Sequence, residues 1–287
     1  MFIPLEMQNK RDDSLRKRQR RFLSLTGFRR KKLVAVSGIT LVILFLLVGF
    51  VRQQYVLPIL MYHSVKPFAA SGNRLIVSVN TFERQMNFLK KHNYNVLNLE
   101  DVAALIKDRR KLPPKSIVLT FDDGNKDNYT YAFPILKKYN LPATIFLILS
   151  EVDRPDRLSW KEIEEMRDSG LISFGSHTIN HPFLEYIESD EELKREISGS
   201  KAMLEQKLRK QVNTFSYPMG RFNAKARQFV IDAGYKIGVA TNPGKGYPDD
   251  DVFVLKRLRI SENANNLFIF WIETSGYYNF IREHRHK

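Results

Sequence analysis

The chain of 287 residues contains no cysteine. That excludes a disulfide framework, a thiolate metal site, a cysteine nucleophile and a cysteine-linked lipid anchor. No repeat, no low-complexity tract and no Pro-, Gly- or Ser-rich spacer interrupts it. Histidine is scarce, at six residues, and no charged residue lies between Leu33 and Val51. What is abundant is apolar and aromatic. A hydrophobic fraction of 43%, with 12 Tyr, 20 Phe and 2 Trp, excludes global disorder. The length suits one large domain or two small ones.

The net charge is +15, which taken alone points to nucleic acid or an anionic membrane. Its location decides between them. Residues 1–32 hold 11 Lys or Arg against Glu6, Asp12 and Asp13, so 11 − 3 = +8, and the other residues carry 15 − 8 = +7. The excess marks an end of the chain, not a face of a folded domain. The uncharged run that follows, LVAVSGITLVILFLLVGFV, has 19 residues. At about 1.5 Å each it spans about 28 Å, close to a hydrocarbon core of about 30 Å. A cleavable signal peptide has a shorter apolar part and a small-x-small ending, whereas this run ends Gly49-Phe50-Val51-Arg52. The run reads as an uncleaved signal-anchor. The positive-inside rule keeps the basic block cytoplasmic, with anionic lipid adding attraction, and sends the rest outward. Nucleic acid is then not an expected partner.

The expected organisation is a basic cytoplasmic segment (1–32), a transmembrane helix (33–51), a linker (52–57), an α/β domain (58–262), and a C-terminal helix with a basic tail (263–287). Within the domain, strands are predicted at 56–62, 116–121, 143–149, 172–176, 214–217, 235–240 and 252–260. Helices are predicted at 79–92, 99–109, 131–139, 160–169, 190–210, 224–233 and 267–274. This interleaving implies βα units and a mostly parallel sheet, which at about seven strands suits a distorted, nearly closed (β/α) barrel. Functional groups then belong just past the carboxyl ends of strands.

Five clusters sit there. Thr120-Phe121-Asp122-Asp123-Gly124 puts two carboxylates side by side after an apolar strand. Adjacent carboxylates repel and lose hydration, so they are either solvated on an Asp-Gly turn or compensated by a cation or proton. In Ser176-His177-Thr178-Ile179-Asn180-His181-Pro182, the four-residue spacing places both imidazoles on one side of a helical turn. With a carboxylate from elsewhere, they would make a three-ligand site with an open position, as in catalytic zinc sites. The other reading is a pair of surface histidines. Phe215-Ser216-Tyr217-Pro218-Met219-Gly220 ends a strand in a Pro–Gly turn, either an ordinary turn or one that aims a backbone N–H at an oxyanion. Tyr62-His63 closes the first strand, and Leu255-Lys256-Arg257-Leu258-Arg259-Ile260 alternates apolar and basic residues. The latter is either an exposed edge or a strand that points an Arg inward.

These segments resemble, in order over about residues 56–262, the polysaccharide deacetylases of the NodB-homology type, carbohydrate esterase family four. Thr120–Gly124 is similar to the family's TFDDG motif and His177–Pro182 to its H-[ST]-x-x-H-P motif, while Phe215–Gly220 is similar to its aromatic-Pro-x-Gly turn. The Met61-Tyr62-His63 start and the late Leu-x-Arg-x-x-Ile resemble the branch acting on poly-N-acetylglucosamine. The resemblance implies that Asp123, His177 and His181 bind a divalent metal, usually zinc, with Thr178 supporting their loop. It implies that Asp122 is the general base toward water, with the metal and the Met219 N–H stabilising a tetrahedral oxyanion. Tyr62, Tyr217 and Pro218 are expected to contact substrate. Three departures stand out. Ser216 or Tyr217 stands where many members carry an Arg before the Pro, so Arg257 is expected to orient the base instead. The Asp-rich fourth motif is not visible, with Gly238–Thr241 in its place. The His of the fifth motif is missing, which leaves His63 to protonate the leaving amine.

The implied activity is N-deacetylation of an extracellular N-acetylglucosamine polymer at the surface of a bacterial cell, releasing acetate. Peptidoglycan is the alternative substrate, and a glycan-binding pseudoenzyme is the alternative class.

Overall fold

The computed structural model describes residues 38, 40–50, 55–70, 72–108, 110–241 and 251–278. The chain divides into two compact units, Met1–Tyr55 and Val56–Lys287. In the first, residues 40–50 form a helix, α1. The expected cytoplasmic segment 1–32, residues 33–37, 39 and 51 of the expected span, linker residues 52–54 and tail residues 279–287 lie outside the described residues. Among the described residues, no helix is long and apolar enough to cross a membrane.

The second unit begins with β1 (Ile59–Tyr62), β2 (Ser64–Lys66), β3 (Ile76–Ser78), α2 (Val79–Lys91), β4 (Asn95–Leu97) and α3 (Leu99–Lys107). It continues with β5 (Ser116–Phe121), α4 (Phe133–Tyr139), β6 (Ala143–Leu147), α5 (Trp160–Asp168), β7 (Ile172–Ser176), α6 (Asp190–Lys194) and α7 (Ser200–Leu208). It ends with β8 (Thr214–Ser216), α8 (Ala224–Asp232), β9 (Ile237–Ala240), β10 (Leu255–Lys256), β11 (Leu258–Arg259) and α9 (Leu267–Glu273). Side chains of cap-forming type start several helices. Ser78 caps α2, Asn223 caps α8, and Ser159 with Glu162 makes a full capping box on α5.

Every strand pair is parallel, in the order β10-β9-β8-β7-β6-β5-β1-β11, with β4 beside the start of β5. The two ends of that order, β10 and β11, are halves of one segment broken only at Arg257. One half pairs with β9 and the other with β1. A single stretch of chain therefore closes the sheet on itself. Counting it once, 9 − 1 = 8 strands form a nearly closed parallel barrel. The expected architecture holds, with β4 as the added strand; at three residues its pattern is too short to read. The predicted helix over 190–210 is α6 and α7 joined by a π-helical turn, Arg195–Gly199.

Alternation along the strands sorts side chains into two layers. Ile59, Val118, Phe146, Ile237, Val239 and Leu255 form a cluster with Leu99, Val102 and Ala103 of α3, which fills the barrel interior and its lower end. Their neighbours in the chain, such as Leu60, Tyr62, Leu119, Phe121 and Leu147, join the larger cluster beneath the outer helices. Strands buried on both faces favour apolar residues at nearly every position, which is why β5 and β6 read as near-continuous apolar runs, with the buried Ser116, Thr120 and Thr144 as exceptions.

Candidate active site

The same alternation aims the polar residues. Asp122 follows Thr120 and Val118 on the interior side of β5; His63 follows Met61 and Ile59 on β1. The carboxyl ends of β1, β5, β7 and β8 and the break between β10 and β11 thus converge on one cleft of about 290 Å³. Its lining includes His63, Asp122, Asp123, His177, His181 and Met219. A cavity of about 340 Å³ between α2 and α9 is larger but contains no carboxylate, so the chemistry belongs to the cleft.

Asp122 is buried at the cleft floor. Arg257, with no exposed surface at all, grips it with Nη1 to Oδ1 and Nη2 to Oδ2, each at 2.7 Å. The same guanidinium donates to Thr120 Oγ1 at 3.2 Å and Ser216 Oγ at 2.9 Å. Burial alone would raise the Asp122 pKa, but Arg257 and the nearby His177 and His63 overcome it and hold the carboxyl well below its ordinary range. Arg257, expected from its place in the late motif to orient the base, thus contacts both oxygens of Asp122. Asp123 behaves oppositely: burial, then the Asp122 charge, raises its pKa. Two adjacent carboxylates are thereby separated, one held by an arginine and one left facing the histidines.

The histidines are not on a helical turn, and that expectation is corrected. His177 extends from β7, and the chain then bends through left-handed conformations at Thr178 (φ 68°) and His181 (φ 57°). These two bends, not α-helical geometry, bring the rings together, with Nε2 to Nε2 at 3.2 Å. Three contacts hold the bends. Thr178 Oγ1 accepts from the His181 N–H at 2.9 Å. Buried Glu196, on the π-helical turn, accepts from the N–H groups of Ile179 and Asn180 and from the Asn180 side chain. His177 Nδ1 lies 2.7 Å from the Ser216 carbonyl oxygen, which can only accept, so Nδ1 carries the proton and Nε2 presents its lone pair.

Asp123, His177 and His181 each offer a ligand atom, all within 4.8 Å of one another. Burial lowers the pKa of both histidines, which favours two neutral rings. Two neutral rings at this distance are satisfied either by an Nε2–H of His181 donating to His177 or by a cation that both lone pairs ligate. Tetrahedral ligation at about 2.0–2.1 Å places neighbouring nitrogens about 3.3 Å apart. The donor types and their spacing fit a divalent metal ion.

His63 lines the cleft, and its buried Nδ1 has no hydrogen-bond partner among the described residues. Met219 sits in the left-handed region (φ 56°) in the turn over the cleft. Gly220 must be glycine: its φ is +68°, and a Cβ there would lie 2.5–2.6 Å from Thr241. Gly175, below His177, is equally constrained, since a Cβ would meet Thr214 Oγ1 at 2.2 Å.

Three expected substrate contacts are corrected. Tyr62 is one residue before His63, so alternation sends it to the outer layer. There it stacks on Phe121 and donates to Gln85 Oε1 at 2.9 Å. Tyr217 is fully buried against Phe215 and Phe222. Pro218 is buried and shapes the turn; neither lines the cleft. Glu196 escaped the sequence reading, although an acid on the apolar face it shares with Leu193, Ile197 and Leu204 was a visible signal. The Ser216 carbonyl had no such signal, because backbone groups carry no side-chain signature. Arg74 and Arg259 also line the cleft without having been anticipated there.

A family model described as polysaccharide deacetylase matches residues 109–238. YxkH of Bacillus subtilis (strain 168), assigned to the polysaccharide deacetylases, is 36% identical over 219 residues, 76% of each chain. The poly-beta-1,6-N-acetyl-D-glucosamine N-deacetylase of Staphylococcus aureus (strain MRSA252) is 30% identical over 200 residues, 66% of this chain and 69% of that one. The solved structure of the Streptococcus pyogenes deacetylase PplD in complex with acetate superposes with a TM-score of 0.69 at 33% identity, over 75% of this chain and 97% of that one.

Proposed function

The chain belongs to the polysaccharide deacetylase family, and from that premise we propose that it is a membrane-anchored, metal-dependent hydrolase. It removes N-acetyl groups from an extracellular polysaccharide containing N-acetylglucosamine and releases acetate. The observation that carries this reading is the pairing of Asp123, His177 and His181 with the Arg257-held Asp122 in one cleft. The names of the Staphylococcus relatives support the glycan class. The basic block followed by an uncharged run supports the anchor and the outward domain.

Asp123, His177 and His181 would hold the metal, with zinc the fitting choice for one carboxylate and two imidazoles. When bound, such an ion acts as a Lewis acid on the acetamide carbonyl and acidifies water. Asp122 accepts the proton of the attacking water, its oxygens fixed by the Arg257 fork. The Met219 N–H donates to the developing oxyanion. His63, just past the end of β1 and beside β5, is neutral at rest and relays to the leaving nitrogen the proton that Asp122 takes from water, accepting at one ring nitrogen and giving from the other. The C–N bond breaks, water supplies the oxygen of acetate, and the sugar keeps a free amine.

Acetate release from N-acetylglucosamine oligomers and from peptidoglycan, with and without chelator, tests this. Asp122→Asn serves as the inactive control. Chelator-sensitive release is expected, and no release from any envelope glycan would end the enzyme reading. Undiminished turnover by His63→Ala, with metal content checked, would remove that residue from the mechanism.

A further inference from the structure

The mechanism leaves two cations at the cleft unused. Arg74 precedes β3, and Arg259 lies on β11 opposite Met61 of β1. Both guanidiniums are exposed at the mouth of the cleft that holds Asp122 and the two histidines. Among the described residues neither has an ion-pair or hydrogen-bond partner. Arg259 loses proton affinity first through partial burial and then through the charges of Arg74 and Arg257, so three like charges crowd one site. Buried Arg257 is matched by Asp122; among the described residues, no carboxylate pairs with Arg74 or Arg259.

Charge counting sharpens the point. Arg74, Arg257 and Arg259 contribute +3, and Asp122 and Asp123 contribute −2, while His63 is kept neutral by burial. Among the described residues, these groups at and directly beneath the cleft sum to +3 − 2 = +1, and a divalent ion would make it +3. Deacetylation turns each neutral acetamido sugar into an ammonium. A cationic cleft therefore disfavours a neutral polymer more with each turnover, because the neighbouring units become cations themselves. A glycan that carries its own negative charge keeps the attraction.

From this unpaired guanidinium pair we infer that Arg74 and Arg259 form a subsite for an anionic substituent on the glycan, a carboxylate or a phosphodiester, next to the acetamido sugar being hydrolysed. Guanidinium forks bind both groups bidentately, so the shared chemistry is a planar or tetrahedral oxyanion within reach of the reacting sugar. The inference rests on the deacetylase reading and narrows its substrate class. It favours cell-wall glycans over an uncharged N-acetylglucosamine homopolymer.

The test uses the full-length chain with its metal and three substrates. These are an uncharged N-acetylglucosamine oligomer, an N-acetylglucosamine–N-acetylmuramic acid oligomer that carries lactyl carboxylates, and an N-acetylglucosamine oligomer that carries a phosphodiester. The quantity read is kcat/KM for acetate release on each anionic substrate divided by that on the uncharged one. In the wild type this ratio is expected to be about tenfold or more for at least one anion, and which one identifies the source. The Arg74→Gln/Arg259→Gln variant should lower the ratio by about tenfold, chiefly through KM, and Arg74→Lys/Arg259→Lys should restore part of it. A ratio that differs between wild type and the Gln variant by less than about threefold overturns the inference. If no substrate releases acetate, the deacetylase reading fails separately. Equilibrium binding of the same oligomers to wild type and to the Gln variant then decides the anion subsite by the same threshold.

Discussion

Replacing Arg257 with methionine is the sharpest perturbation of the site. The arginine is fully buried and makes four hydrogen bonds, two of them to Asp122 at 2.7 Å. Methionine fills most of the space but leaves a buried carboxylate without a counter-charge. Removing one partner of a buried ion pair costs about 3–5 kcal/mol. At about 2–4 °C per kcal/mol for a domain of this size, that is a fall in Tm of about 6–20 °C. The loss should depend on pH, and its sign follows from the pairing. The Asp122 pKa is depressed in the fold, so its stabilisation is present above the unfolded value of about 3.9 and is lost as pH falls through the folded value. Without Arg257, burial acts unopposed and raises that pKa. The gap between wild type and variant should therefore be widest above the variant's raised value, begin to narrow as pH falls through that value, and narrow further below about 4. Urea denaturation followed by circular dichroism, with chelator present so that metal binding does not contribute, measures it. Asp122→Leu/Arg257→Met removes both charges and should recover much of the loss. A single-variant loss below about 1 kcal/mol, or one that is equal at pH 7 and pH 3, would refute the argument.

Glu196→Ala should loosen the loop that carries both histidines and weaken metal affinity by about 10–100-fold while the fold survives, as read by competition with a metal-binding dye. Glu273, on α9, is pushed by burial up to about 7. Its neutral form is the one the fold tolerates, so this stability is full below about pH 4.5 and is lost as pH rises through about 7. Glu273→Gln should therefore match wild type near pH 5 and exceed it by about 3 kcal/mol near pH 9 in the same denaturation assay. Gly220→Ala should cost about 1–3 kcal/mol and lower kcat, because its φ is +68° and Thr241 occupies the space a Cβ needs; wild-type melting and turnover in this variant would contradict the close approach.

Much of this was legible because parallel barrels write themselves locally. Strands buried on two faces appear as apolar runs, helices between them show caps and apolar stripes, and catalytic groups follow strand ends. Asp122, Asp123, His177 and His181 could be named from their spacing and resemblance. Tyr62 could have been placed correctly from alternation alone, because it and His63 cannot both face the cleft. The helical turn proposed for His177 and His181 failed for another reason. A spacing of four residues is met equally by two left-handed bends, and what selects the bends is Glu196 and Thr178, which contact the loop in space.

The sequence by itself determined the order of strands and helices, the donor types of the site and the uneven charge of the chain, because each is a property of neighbours along the chain. Only the tertiary structure decided that Arg257 is the partner of Asp122, that the Ser216 carbonyl sets the His177 tautomer, and that Arg74 and Arg259 meet at one cleft mouth. Those pairings cross 135, 39 and 185 positions (257 − 122, 216 − 177, 259 − 74). Barrel closure creates them by seating the 255–259 segment between β9 and β1. No local pattern encodes such contacts, because the free energy that selects them comes from burying the whole sheet at once.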